Sequence, residues 1–152
     1  MYKKVLAPLD GSELSECTLE HLKAIATGCQ IPEVVLLRVV EPLPHVYDDG
    51  GLSPEWHKEA QKKAGEFARD YLAKVAAGLK KEGISAETAL VSGRAADAIL
   101  NYAREHQVDL IVMSTHGRSG VTRWVMGGVA DRVVRHSTVP VLTVSPAGCR
   151  IE

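Results

Sequence analysis

Two segments of the chain combine glycines with polar side chains in a pattern that suits the binding of an anion. One covers residues 8–12, and the other covers residues 114–120 and continues to residues 127–129, where a helix is predicted to begin. Glycine lets the backbone approach a phosphate closely, and the N–H groups at a helix N-terminus attract negative charge. The pattern therefore predicts an anion site that needs no lysine.

Neither segment carries the groups that a catalytic centre needs. His116 could act as a general base, but no serine or cysteine nucleophile with an orienting carboxylate is recognisable around it. The chain also lacks a Gly-x4-Gly-Lys-[Ser/Thr] loop, and its histidines show no zinc-binding spacing. The sequence thus predicts a binding site with no catalytic residue and no metal held by the protein itself.

Three side chains in these segments allow two interpretations each. Asp10 precedes Gly11 and Ser12, so it fits a turn or a helix cap, and it fits a ligand contact equally well. Arg118 and Arg123 either bind phosphate groups or solvate an exposed loop. The residue types alone leave these alternatives open.

Five short apolar runs predict strands, and helical patterns separate them. The strands are predicted at residues 5–9, 33–40, 84–91, 108–113 and 139–144. Helices are predicted after Ser12, from Pro54 until Gly83, after Gly93 and over residues 129–136. This alternation predicts an α/β, Rossmann-like fold with an open parallel sheet and helices on both faces. Ligands of such sheets bind at the carboxyl ends of the strands, where both polar segments lie.

Three stretches of the sequence resemble the universal stress proteins. They are Lys-Val-Leu-Ala-Pro-Leu-Asp-Gly-Ser at residues 4–12, Thr-His-Gly-Arg-Ser-Gly at residues 115–120 and Val-Pro-Val-Leu at residues 139–142. The resemblance spans essentially the whole chain, with a domain over residues 1–146 and a loosely held tail over residues 147–152. It implies a five-stranded sheet in the order 3-2-1-4-5, a homodimer and, in one subgroup of the family, bound ATP.

The ATP-binding subgroup carries the motif Gly-x2-Gly-x9-Gly-[Ser/Thr], which this chain matches in part. The four motif positions fall on Ser114, Gly117, Gly127 and Gly128. Gly128 lacks the hydroxyl that would bond a phosphate, at a cost of about 1 kcal/mol. Ser114 replaces glycine without penalty if its φ is ordinary, and strains the loop if φ is positive.

The resemblance assigns a ligand contact to nine residues. Pro8 and Asp10 would border the ribose, and Val39 would offer backbone groups to the adenine. Met113 would line the pocket beside Ser114. The phosphates would face Gly117, Gly127, Gly128 and Val129. The implied ligand is ATP, with AMP and cyclic AMP as alternatives, and Mg²⁺ would bind only through the nucleotide phosphates.

The bulk properties exclude several classes of protein. The 152 residues carry a formal net charge of -1, so no overall field attracts nucleic acid or an anionic membrane. No signal peptide or membrane span is recognisable, which predicts a cytoplasmic protein. The three cysteines, Cys17, Cys29 and Cys149, are odd in number and widely spaced, so we expect reduced thiols.

The predicted partner is a second copy of the chain. The fifth strand, which begins at Val139 and ends at Val144, is apolar, and an apolar edge strand is an aggregation hazard unless it is paired. A charge at Val141 or Val144 is therefore expected to dissociate the dimer or unfold the chain.

The favoured function is a nucleotide-binding module of the stress response that is not an enzyme and whose dimer surface is read by an unknown protein partner. The alternatives are a slow ATPase and a nucleotide-free interaction protein.

Overall fold

The computed structural model describes residues 1–43, 54–116 and 127–145, apart from the side chain of Leu14. Strands and helices alternate along the chain. In order, they are β1 (Lys4–Pro8), α1 (Glu13–Glu16), α2 (Thr18–Gly28), β2 (Glu33–Val40), α3 (Pro54–Lys81), β3 (Ala86–Ser92), α4 (Ala95–Glu105), β4 (Leu110–Ser114), α5 (Gly128–His136) and β5 (Val141–Val144).

The strands form one sheet in the order β3-β2-β1-β4-β5, and all four neighbouring pairs are parallel. The central strand β1 places Val5 beside Val34 of β2 and beside Leu110 of β4. The chain first builds outward from β1 to β3 and then returns to add β4 and β5 on the other side. This topology confirms the predicted fold class and strand order, and it creates a switch point between β1 and β4.

The sheet separates two apolar cores, because successive side chains of a strand point to opposite faces. One core joins β1 residues Val5 and Ala7 to helices α2 and α3 through Leu22 and Leu72. A second core contains Leu6 and lies against helices α4 and α5; it includes Val35, Leu37, Ile99, Met113 and Val133. Burial on both faces explains why β1, β2 and β4 are almost continuously apolar in sequence.

The ends of several elements follow their local chemistry. Ser12 caps α1, since its hydroxyl accepts a hydrogen bond from the Ser15 N–H at 3.1 Å. The predicted single helix is divided at Cys17, where the Thr18 hydroxyl donates to the Ser15 carbonyl at 2.6 Å and competes with the backbone ladder. Gly83 ends α3 with a φ of 86°, as predicted for a glycine C-terminal to a helix.

Some predictions fall outside the described residues, and one is wrong. The tail at residues 147–152 and the two arginines Arg118 and Arg123 are not described, so their predictions stand as made. Cys29 is an exposed free thiol, as expected, but Cys17 is disulfide-bonded. The expectation of three reduced thiols is therefore wrong for Cys17. Spacing along the chain reveals cysteine pairs that are close in sequence, and it misses pairs that are brought together by folding.

No helix among residues 1–43, 54–116 and 127–145 is long and apolar enough to cross a membrane. No group of three or more histidine, cysteine, aspartate or glutamate side chains there could hold a metal ion.

Candidate functional site

A cavity of about 880 Å³ opens at the carboxyl edge of the sheet. It lies where β1, β2 and β4 end and where α4 and α5 begin, at the switch point of the topology. Eight of the nine predicted binding residues line it: Pro8, Asp10, Val39, Met113, Ser114, Gly127, Gly128 and Val129. The ninth, Gly117, lies outside the described residues.

Pro8, Val39 and Met113 lie near the ends of three parallel strands, and these ends meet at the carboxyl edge of the sheet. Val39 and Met113 belong to the core on the α4 and α5 side of the sheet, together with Leu6. Pro8 follows Leu6 by two positions, so its side chain points to that same face. Three residues that are far apart in sequence therefore share one apolar side of the cavity.

Asp10 organises the turn between β1 and α1. Its Oδ1 accepts hydrogen bonds from the Ser12 N–H at 2.9 Å and from the Ser12 hydroxyl at 2.5 Å. Ser12 is the N-cap of α1, so Asp10 supports the cap indirectly by holding the Ser12 side chain in place. Because Asp10 also lines the cavity, its turn role and a ligand contact are compatible.

Gly127 is sterically required where it stands, at the N-cap of α5. Its N–H donates to the Thr115 carbonyl at 2.8 Å, and its own carbonyl accepts from the Asp131 N–H at 2.9 Å. A Cβ at this position would lie 2.8 Å from the Thr115 oxygen, which is closer than real Cβ contacts allow. The φ of Gly127 is -57°, so its close approach to Thr115 and not its backbone conformation demands glycine.

The N-terminus of α5 places a positive potential at one end of the cavity. The first N–H groups of a helix have no intrahelical acceptor, and the helix dipole adds positive potential there. Gly128, Val129 and Ala130 of this first turn all line the cavity. At Gly128 an added Cβ would meet no atom of the described residues within 4 Å, so none of them covers the backbone there.

Ser114 fits its position without backbone strain. Among the described residues other than glycine, only Gln30 and Gln107 have a positive φ, so the backbone of Ser114 is ordinary. Its hydroxyl donates to the His116 carbonyl at 2.8 Å, across the turn that follows β4. The first departure from the family motif is therefore accommodated by the fold.

We expect Ser114→Gly to lower the free energy of unfolding and to bring no gain in ligand affinity. The change removes the hydroxyl bond to His116 and adds backbone freedom, which together cost about 1–2 kcal/mol of unfolding free energy. Urea denaturation monitored by circular dichroism measures this loss. A more stable Ser114→Gly variant would show that the serine is strained after all.

His116 and Thr115 hold the end of β4 beside β5. Both side chains are buried, and the Thr115 hydroxyl lies 2.8 Å from Nδ1 of His116. The Thr115 N–H donates to the Val144 carbonyl at 3.0 Å. These contacts fix the two residues between the motif positions Ser114 and Gly117, so they give His116 a structural role at the cavity wall.

Sequence reasoning missed a group of polar and aromatic residues that line the cavity from β2 and α3. These are Arg38, Glu41, Lys63 and Phe67.

The Arg38 guanidinium lies over the ring of Tyr71, 5.9 Å from its centroid, and donates to the Leu9 carbonyl at 3.4 Å. Burial and the neighbouring Glu16 carboxylate raise the pKa of Tyr71, whose hydroxyl donates to that carboxylate at 2.9 Å. For Lys63 and Phe67, the helical spacing of apolar residues in α3 was the available signal in the sequence. That spacing does not show which face of the helix meets the cavity.

The topology and the cavity together define a doubly wound α/β protein with a cavity at its switch point. Residues 1–145 match the model of the universal stress protein family. The chain belongs to the universal stress protein family.

Two relatives from one organism match this chain over 95% of its length. Universal stress protein MJ0577 of Methanocaldococcus jannaschii is 31% identical over 155 residues, which is 95% of this chain and 95% of that protein. The solved structure of MJ0577 superposes with a TM-score of 0.82 over 95% of this chain and 96% of that one, at 31% identity. Universal stress protein MJ0531 of the same organism is 35% identical over 95% of this chain and 82% of its own length.

Two more distant structures were solved with adenine nucleotides. A universal stress protein in complex with cAMP is 23% identical, with a TM-score of 0.61 over 95% of this chain and 97% of that one. An Arabidopsis thaliana family protein with AMP bound is 18% identical, with a TM-score of 0.62 over 94% of this chain and 91% of that one. At these identities the likeness shows a shared fold.

Proposed function

We propose that this universal stress protein binds an adenine nucleotide, with ATP as its main ligand, in the carboxyl-edge cavity. The observation that carries the proposal is the turn at Gly127, where the backbone approaches Thr115 so closely that a side chain is excluded. That turn opens the N-terminus of α5 toward the cavity, in the place where a phosphate chain would bind.

The two ends of the cavity differ in the way that a nucleotide does. Val39, Ile99 and Met113 give one part an apolar surface suited to a base. The first turn of α5 gives the other part a positive potential suited to phosphates. Asp10 lies on the β1 segment between β2 and β4, where its carboxylate can accept hydrogen bonds from ribose hydroxyls. A volume of about 880 Å³ falls within the usual range of small-molecule sites.

The cAMP and AMP complexes among the family's structures agree with an adenine nucleotide as ligand. ATP is favoured over them here because the helix N-terminus offers several N–H groups to an extended chain of phosphates. Mg²⁺ would enter bound to those phosphates.

Binding, and not turnover, is the proposed activity. In the described cavity wall the Thr115 hydroxyl lies 2.8 Å from His116 Nδ1, but both side chains are buried, and the motif segment lacks a P-loop lysine. A slow hydrolysis of ATP and a nucleotide-free interaction protein are the competing outcomes. We further propose that the protein acts as a homodimer through β5 in the cytoplasm, where ATP is available, and that the dimer presents a surface to a protein partner.

Small molecules released from freshly purified protein by heat test this proposal. After denaturation, chromatography of the supernatant should yield ATP in an amount comparable to that of the protein. ADP that accumulates when ATP is resupplied would favour the slow ATPase. A supernatant free of nucleotide, from protein that also binds no added ATP, would favour the interaction protein.

We expect Gly128→Ser to tighten the binding of MgATP. No atom of the described residues lies within 4 Å of a Cβ at Gly128, so the Cβ of a serine there displaces none of them. Its hydroxyl can donate one new hydrogen bond to a phosphate oxygen, worth about 1 kcal/mol, or roughly a fivefold lower Kd. Calorimetric titration measures the change, and Gly128→Ala is the matched control because it adds the Cβ without the hydroxyl. If both variants bind alike, the hydroxyl does not reach a phosphate.

A further inference from the structure

One wall of the cavity comes from a helix that the glycine motif does not involve. α3 contributes Lys63, Ala64 and Phe67 to the lining. This helix packs through Leu72 and Leu79 into the core on the α2 and α3 side of the sheet. Met113 belongs to the core on the opposite side. The cavity is therefore bounded by apolar side chains that reach it from both faces of the sheet.

The length of α3 explains how it reaches the cavity. With 28 residues it is about 42 Å long, whereas the 8 residues of β2 span about 26 Å. Its buried residues Ala68, Leu72 and Leu79 all lie in the second half. The first half therefore extends beyond the part of the helix that covers the sheet, and it stands beside the cavity at the carboxyl edge.

Phe67 is a residue of this wall that contributes little to the packing of the fold, because its side chain is mostly exposed. It is the single phenylalanine of the chain, and it is 71% exposed. Tyr71 and Val75, one and two turns further along the same face of α3, pack against the core. The apolar face of the helix thus continues past the core and ends with an exposed aromatic ring at the cavity wall.

We propose that Phe67 stacks on the base of the bound nucleotide, which then lies between Phe67 and the apolar wall that contains Met113. This inference rests on the proposed function, because the base belongs to the proposed ligand. Bases bind proteins by stacking on aromatic side chains, and the contact tolerates any base because each has a π face. Phe67 has no hydrogen-bonding group, so it supplies affinity, and the choice of adenine depends on polar groups elsewhere in the cavity.

Calorimetric titration of nucleotide-free protein with MgATP tests this role of Phe67. Removal of a stacking ring by alanine substitution costs enough affinity that Phe67→Ala should raise the Kd about tenfold or more. Phe67→Tyr keeps the ring and should stay within about twofold of the parent. Phe67→Leu keeps an apolar side chain without the ring, so its Kd should lie between those of the alanine variant and the parent.

The control variant is Val134→Ala on α5. Val134 is also an exposed apolar residue, and it lies outside the lining of the cavity, so its Kd should match that of the parent. If Phe67→Ala or Phe67→Leu binds MgATP as tightly as the parent, Phe67 does not stack on the base, and the proposed function is untouched. If the parent itself binds no MgATP, the proposed function fails and this inference fails with it. Thermal melting confirms that each variant is folded.

Discussion

Replacement of Gly127 by alanine is expected to weaken the binding of MgATP by about ten- to a hundredfold. The new Cβ would lie 2.8 Å from the Thr115 oxygen, so either the turn opens or the N-terminus of α5 moves away from the cavity. Loss of the Gly127 hydrogen bond to Thr115 and of phosphate contacts together cost about 1–3 kcal/mol. A larger side chain, as in Gly127→Leu, should abolish measurable binding. Calorimetric titration with MgATP provides the measurement.

Gly78→Ala is the matched control for Gly127→Ala. Gly78 lies within α3, away from the cavity lining, and an added Cβ there meets none of the described atoms within 4 Å. This substitution should leave the Kd unchanged and raise the unfolding free energy by about 0.5–1 kcal/mol, because alanine favours a helix more than glycine does. Tight MgATP binding by a folded Gly127→Leu variant would show that this turn does not hold the phosphates.

The second large effect is expected in β5, where two residues separated by Thr143 should respond to charge in different ways. Leu142 is 38% exposed, whereas Val144 is 5% exposed. Leu142→Glu should therefore give a folded monomer, because the charge lies on the outer surface of the edge strand that we propose as the dimer contact. Val144→Asp should unfold the chain or strongly destabilise it, since burying a carboxyl group there costs several kcal/mol out of a typical total stability of about 5–15 kcal/mol.

Light scattering for mass and circular dichroism for folding separate these outcomes. The parent should have twice the mass of one chain at micromolar concentration, and Leu142→Glu the mass of one chain. A monomeric parent, or a dimeric Leu142→Glu variant, would contradict the proposed contact through β5.

The succession of strands and helices along the chain could be predicted because each strand carries its own signal, whereas the strand order in the sheet came from the family resemblance. β2 was predicted at residues 33–40 and is observed at Glu33–Val40, since burial on both faces makes it apolar from end to end. β5 was predicted at residues 139–144 and is shorter, Val141–Val144. Pro140 is the reason, because it has no N–H to donate, although its carbonyl still accepts from Ile111 at 3.0 Å.

The candidate site was predictable where it depends on the motif segments and unpredictable where it depends on packing. Asp10, Gly127 and Gly128 meet because the carboxyl ends of β1 and β4 are neighbours in the sheet. Whether Ser114 is strained depends on its φ, which no sequence pattern reveals. Phe67 enters the site only because α3 is long enough to pass the edge of the sheet, and that placement needs the three-dimensional structure.

The central claim is that MgATP binds in the carboxyl-edge cavity, and an NMR titration of ¹⁵N-labelled protein tests it most directly. On addition of MgATP, the amide resonances of Val39, Gly127 and Gly128 should shift and saturate together. The amides of Arg104 and Glu105, at the far end of α4 from the cavity, should stay in place. Shifts confined to residues away from the cavity, or no shifts at millimolar MgATP, would contradict the account.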